Sequence, residues 1–149
     1  MEKLDPKLID APIIVVEDDP DDQFLIQRIF EKLGVLSPIL FFNNGKDALY
    51  YLSNTGEETF LIMSDINMPV MNGLELRERI NRNESLRRKS IPFVFFSTAA
   101  RPVDVNAAYD MTVQGFFIKD ADLESMEESL EIILRYWTRC KHPNSAKSC

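Results

Sequence analysis

Leu61-Ile62-Met63-Ser64-Asp65-Ile66-Asn67-Met68-Pro69-Val70-Met71-Asn72-Gly73-Leu74 is the stretch whose reading decides the fold. An apolar run stops at one carboxylate, Asp65, and a turn-forming segment with Pro69 and Gly73 follows before a new helical pattern begins. This is the pattern of a strand that ends in an acid. In an open α/β sheet, ligands bind beyond the carboxyl ends of the strands, so an acid there points toward a site rather than into the core. Asp65 is therefore the first candidate functional residue.

Toward the N-terminus, Ile13-Ile14-Val15-Val16 is a continuous run of β-branched residues, as expected of a strand buried on both faces. It ends at Glu17-Asp18-Asp19-Pro20-Asp21-Asp22, after which Leu25, Ile26, Ile29, Phe30 and Leu33 recur at helical spacing and Gly34 supplies a stop. Helix capping accounts for part of the acidic run: one acid at the N-cap, Pro20 in the first turn, and carboxylates favoured by the helix dipole. Glu17 and Asp18 precede the helix at the end of a buried strand, where like charges repel. A divalent cation would remove that repulsion. Ile39-Leu40-Phe41-Phe42 reads as a second strand, and Asn43-Asn44-Gly45 as a turn that opens a helix with Ala48, Leu49 and Leu52 on its inner side.

The strand that delivers Asp65 is expected from Phe60 to about Ser64. Beyond Gly73, Leu76 and Ile80 keep a helical face, with Glu75, Arg77, Glu78, Arg79 and Arg82 expected to face water. Arg87, Arg88 and Lys89 read as part of a solvated loop. Asn83-Glu84-Ser85 matches a glycosylation sequon and is set aside because nothing marks the chain for export. Ile91 to Phe96 is the fourth strand, beginning near Pro92, where a missing amide donor does least harm, and it closes on the hydroxyls Ser97 and Thr98. Arg101-Pro102 opens a helix with Val103, Ala107, Ala108 and Met111, and Gly115 to Ile118 forms a fifth strand ending at Lys119. A last helix, about 122–139, places Leu123, Met126, Leu130, Ile133, Leu134 and Trp137 on one stripe, before a short polar tail, 140–149.

Strands alternating with helices predict an α/β fold: a doubly wound, five-stranded parallel sheet covered on both faces, of flavodoxin-like order 2-1-3-4-5. The 149 residues suit a single domain, 1–149, with its core over about 12–139. The content, 45% hydrophobic and 28% charged, is that of a globular protein, and no apolar run reaches the length of a membrane span. A cytoplasmic location is the expectation. The net charge of −7 argues against nucleic acid as a partner. Cys140 and Cys149 lie in the tail, where a disulfide would staple little, and His142 has no partner at zinc-finger spacing.

In that sheet order the polar strand ends converge: Glu17 and Asp18, Asp65, Ser97 or Thr98, and Lys119. Carboxylates, a hydroxyl and an amine at one sheet edge suit Mg²⁺ and phosphoryl chemistry, with Asp65 as nucleophile, Glu17, Asp18 and Asp65 around the ion, and Lys119 and Ser97 on phosphate oxygens. Taken one at a time, Lys119 is an ordinary exposed lysine and Ser97-Thr98 is ordinary turn chemistry. Their convergence carries the inference.

At these residues the chain resembles the receiver domains of two-component response regulators. The resemblance runs from about Ile13 to Trp137 and rests on Glu17-Asp18 after Ile-Ile-Val-Val, on Asp65-Ile-Asn-Met-Pro-Val-Met-Asn-Gly, on the hydroxyls after Phe95-Phe96, and on Phe116-Phe117-Ile118-Lys119. It implies that Asp65 accepts phosphate from a sensor histidine kinase or a histidine phosphotransfer protein. It also implies that Asn67 offers its backbone carbonyl to Mg²⁺, that Ser97 is the switch hydroxyl, with Thr98 as the alternative, and that Phe116 changes rotamer with it. With only a short tail after the last helix, the chain is similar to stand-alone receivers that pair with bacterial phytochromes and other hybrid sensor kinases.

The family's usual proline after the lysine is replaced by Asp120, which puts a cis bond there in doubt, since a non-proline cis bond costs about 2.5 to 4 kcal/mol. An aspartyl-phosphate phosphatase similar to haloacid dehalogenases would need a second acid two residues after the nucleophile, where this chain has Asn67. The remaining alternative is a receiver-like module that binds partners without phosphorylation. A phosphorylated receiver would signal to a downstream protein through the face made by the fourth helix, the fifth strand and the last helix. Tyr109, Phe117, Tyr136 and Trp137 lie in that part of the chain; most are expected in the core, and any left exposed is a candidate contact for a partner or a second copy of the chain.

Overall fold

The computed structural model describes residues 11–120 and 122–141; the expectations for His142 and Cys149 lie outside them. Five strands, β1 (Ile13–Val16), β2 (Ile39–Phe42), β3 (Leu61–Ser64), β4 (Phe93–Ser97) and β5 (Gly115–Ile118), form one parallel sheet in the order β2-β1-β3-β4-β5. Six helices among the described residues connect and close it: α1 (Pro20–Leu33), α2 (Gly45–Asn54), α3 (Gly73–Arg82), α4 (Glu84–Arg88), α5 (Pro102–Asp110) and α6 (Leu123–Arg139). The doubly wound, flavodoxin-like architecture is the one read from the sequence. No helix among the described residues is long and apolar enough to cross a membrane.

Successive strand residues point to opposite faces, and both faces are covered. Ile13, Val15, Leu61, Met63, Val94 and Phe96 pack with Ile26, Phe30, Leu130 and Leu134 of α1 and α6. Ile14, Val16, Ile62, Phe93 and Phe95 pack with Ala48, Leu52, Leu76, Ile80 and Ala108 of α2, α3 and α5. Burial on both sides is why the central strands read as unbroken apolar runs rather than as alternation. Asp19 caps α1 by accepting from the Asp21 amide, and Gly34 ends it in the left-handed region, φ 81°.

Several local expectations are corrected. The loop before β4 contains α4, whose start is capped by Asn83; the same residue ends α3, so its side chain turns one helix into the next. Strand β3 starts at Leu61 rather than Phe60, and β4 starts at Phe93 rather than Ile91, although the Pro92 carbonyl still accepts from Ile62. Arg77, expected in water, is buried against the Phe93 ring. In α5, Asp104 and Ala108 are buried and Val103 is exposed, and Asp104 pairs with Arg101 at the start of the helix. Leu123 is exposed as well, and so are Tyr109 and Tyr136, at 51% and 61%, whereas the aromatics of this region were expected mostly in the core.

Candidate functional site

The strand register sets the site. Val16 lies opposite Ser64, so the residues after them, Glu17 and Asp65, leave the sheet side by side, and the Asp65 amide donates to the Val16 carbonyl at 2.9 Å. Ser97 lies opposite Ile118, and the Lys119 amide donates back to the Ser97 carbonyl at 2.9 Å. Four polar side chains thus reach one edge without any loop having to carry them.

Asp65 is held firmly. Its Oδ1 accepts from Ser97 Oγ at 2.6 Å and from the Ile66 amide at 2.7 Å, while Oδ2 accepts from Lys119 Nζ at 3.2 Å. Ser97 is fully buried, and its Oγ also accepts from the Ala99 amide at 3.1 Å. Thr98 is exposed, so of the two hydroxyls only Ser97 reaches Asp65. Behind Asp65 the chain is tightly packed: a Cβ added at Gly73 would lie 2.1 Å from the Asp65 carbonyl oxygen and 2.8 Å from the Phe95 ring. Only glycine permits that approach of helix to strand end.

Lys119 is buried and bonds to Glu17 Oε1, to Asp22 Oδ2 at 3.0 Å and to Asp65 Oδ2. Burial by itself would lower the ammonium, but the hydrogen bond to Glu17 and the charges of Asp65 and Glu17 outweigh it and hold Lys119 well above its ordinary range. Burial pushes the Glu17 carboxyl up, against the pull of Lys119. Glu17 Oε2 accepts from the Asp19 amide at 3.1 Å, and Gln23 Nε2 donates to the Glu17 carbonyl at 2.5 Å and to Asn43 Oδ1 at 2.9 Å.

Glu17, Asp18 and Asp65 each offer a carboxylate oxygen within 4.8 Å of the other two. Opposite oxygens of an octahedral Mg²⁺ shell lie about 4 Å apart, so a small inward movement fits this donor set to a hard cation. Asn67 lies two residues beyond Asp65 in the exposed loop. Phe116 packs against Phe95 at a ring separation of 5.9 Å, and the Phe95 ring in turn borders Gly73. No cis peptide bond occurs among the described residues, so the Lys119–Asp120 bond is trans.

Asp22 and Gln23 were missed from the sequence. Both sit in the first turn of α1, where an acid is equally well explained by the helix dipole. The available signal was the surplus of acids over what capping requires.

A family model for the response regulator receiver domain matches residues 13–131. The chain is similar to the probable methanogenesis regulatory protein FilR2 of Methanothrix harundinacea, 33% identical over 129 residues, or 84% of this chain and 82% of that one. It is 28% identical to response regulator Rcp1 of Synechocystis sp. over 130 residues, 84% of this chain and 87% of that one. The crystal structure of the Mn²⁺-bound form of Rcp1 aligns with a TM-score of 0.78, covering 89% of this chain and 97% of that one at 26% identity. The phosphorylated cyanobacterial phytochrome response regulator RcpA aligns with a TM-score of 0.77 at 27% identity, covering 87% and 94%. The match begins at β1 and ends inside α6, spanning all five strands and the whole polar edge, and the chain belongs to the response regulator receiver domain family.

Proposed function

We propose that this receiver accepts a phosphoryl group on Asp65 from a histidine kinase or histidine phosphotransfer protein. The observation that carries this reading is the Asp65 carboxylate held between Ser97, the Ile66 amide and Lys119, beside the carboxylates of Glu17 and Asp18. An Asp65 oxygen attacks the phosphorus of the donor phosphohistidine, a P–O bond forms, and the P–N bond breaks. The leaving imidazole keeps the bonding pair and takes up a proton. Ser97 and Lys119 then exchange bonds to the carboxylate for bonds to phosphate oxygens.

Glu17, Asp18 and Asp65, with the Asn67 backbone carbonyl, are the ligands we assign to Mg²⁺. The ion, when bound, neutralises charge on the phosphoryl oxygens. Water attack on the acyl phosphate returns free Asp65 and inorganic phosphate. Movement of Ser97 toward the phosphate, with about −1.5 to −2 units of new charge, shifts the loop after β4 and the Phe116 rotamer. The downstream protein reads this change on the α5–β5–α6 face, where Tyr109, Phe117, Ile132, Tyr136 and Trp137 line a groove of about 320 Å³.

Intact-mass measurement after incubation with acetyl phosphate tests the reading. One added phosphate that requires Mg²⁺, is labile to hydroxylamine and disappears in Asp65→Asn is the expected result. An adduct of equal yield in Asp65→Asn, or one indifferent to Mg²⁺, would refute it.

A further inference from the structure

At the opposite end of the sheet from Asp65, α3, α4 and the segments leading into β4 and β5 line an open-sided cavity of about 420 Å³. Ile80, Leu86 and Ile91 supply apolar walls, and Arg77, Asn81, Arg87, Ser90, Thr112 and Gln114 supply polar ones. Its volume falls in the range of small-molecule sites.

Arg77 is 7% exposed. Its Nε donates to the Met111 carbonyl at 3.1 Å and its Nη2 to the Thr112 carbonyl at 3.0 Å, with Thr112 Oγ1 at 3.4 Å; the guanidinium lies over the Phe93 ring. Among the described residues no carboxylate pairs with it, and its Nη1 has no hydrogen-bond partner. A buried charge is ordinarily paired. Of the acids on α3 and α4, Glu78 pairs with Arg82, Glu84 with Arg88, and Glu75 closes the α3 capping box. Arg87, the other arginine on the cavity, likewise forms no ion pair with a described residue. Two cations without counter-ions thus line one cavity in a chain of net charge −7.

The backbone gives an independent indication. Outside glycine, positive φ occurs at Val70, Ser90 and Thr112 among the described residues, and the last two, at 53° and 60°, line this cavity. Strained backbone of this kind gathers at ligand clamps.

We propose that this cavity binds a small organic phosphate, with the phosphoryl group between the guanidinium groups of Arg77 and Arg87 and its apolar part against Ile80, Leu86 and Ile91. Arg87 can offer its planar fork to the oxyanion in pairs, and Arg77, whose Nε and Nη2 hold the Met111 and Thr112 carbonyls, adds its Nη1. The site is separate from Asp65 and does not depend on phosphorylation there.

The test is a titration of the full chain with phenyl phosphate, in Mg²⁺-free buffer and on Asp65→Asn, followed through backbone amide and arginine Nε–H signals in ¹⁵N spectra. Inorganic phosphate and benzoate are the comparison probes. Saturable shifts at Ser90, Thr112, Gln114 and Arg77 are expected, with affinity reduced at least about tenfold in Arg87→Glu, an exposed position whose replacement leaves the fold intact. Tight binding of phenyl phosphate over inorganic phosphate supports the apolar wall, and weak benzoate binding supports the phosphoryl preference. Absence of saturable shifts, equal binding of all probes, an unchanged affinity in Arg87→Glu, or shifts confined to the Asp65 end would overturn the proposal.

Discussion

Ser97 and Thr98 carry the same hydroxyl, and the pleat of β4 separates them: Ser97 turns into the site and Thr98 into solvent. Removing Ser97 Oγ takes a 2.6 Å hydrogen bond from the Asp65 carboxylate and leaves the Ala99 amide without its acceptor. Ser97→Ala should therefore lower the unfolding free energy by about 1.5 to 3 kcal/mol, and Thr98→Ala should change it little. Urea melts of the two variants check this, and equal losses would contradict it. Lys119 belongs to the same scale. Its ammonium sits between carboxylates of Glu17, Asp22 and Asp65, so Lys119→Met leaves buried like charges facing one another. The expected loss is about 3 to 5 kcal/mol in metal-free buffer, partly restored by millimolar Mg²⁺. A variant as stable as the parent, or one that Mg²⁺ leaves unchanged, would count against the charge balance described. The sequence marked Lys119 by its position at a strand end, but it gave no means of choosing which acids it meets. Asp22 had to be seen in three dimensions.

Among the elements, the strands were the most legible, because a segment buried on both faces must be apolar throughout. Helix α4 was hidden by its charge: of its five residues only Leu86 is buried, and the others could equally occupy a loop. Arg77 was misjudged for a related reason, since its long side chain reaches inward to cap the carbonyls at the end of α5 from a position that looks solvent-facing. The junction of β3 with α3 depends on Gly73. Gly73→Ala drives a methyl into the Asp65 carbonyl, for which the backbone must move, and should cost about 1 to 3 kcal/mol. It should also weaken Mg²⁺ affinity measured by calorimetry, because Asp65 moves with its carbonyl; unchanged affinity and stability would refute the close approach.

At the start of α5, no side chain caps the helix, and the pair Arg101–Asp104, with Nε to Oδ2 at 3.0 Å, closes the first turn instead. The hydrogen bond from Arg101 holds the Asp104 carboxyl below its ordinary range. A depressed folded value means that this contribution is complete above the unfolded value of about 3.9 and is lost as pH falls through the folded one. NMR titration should find the Asp104 midpoint below that of an exposed aspartate, and Arg101→Gln should raise it. A midpoint insensitive to Arg101 would break the assignment.

For the molecule as a whole, the sheet order brings together residues that lie far apart in the chain: Lys119 meets Glu17 across 102 positions and Asp65 across 54. Five strands alternating with helices suited the doubly wound order 2-1-3-4-5, and with that order the convergence of the polar edge was legible before any coordinates. What was not legible were the charges and aromatics that the packing redirects. Tyr109 and Tyr136 are exposed beside the groove over β5, whereas Ile133 is buried and Phe117 and Trp137 are partly so. The two ends of the sheet also differ in chemistry. The carboxyl end collects acids around one lysine, while the amino end holds Arg77 and Arg87, which form no ion pair with a described residue.

The central claim is that one carboxylate, Asp65, carries the phosphoryl group. It is tested most directly by borohydride reduction of the protein after reaction with a phosphoryl donor and Mg²⁺, followed by peptide sequencing in the mass spectrometer. An acyl phosphate is reduced to the alcohol, so homoserine should replace aspartate at position 65 and nowhere else. Homoserine at position 18 or 22, or unreduced aspartate at position 65 in protein whose intact mass carries the phosphate, would contradict the account.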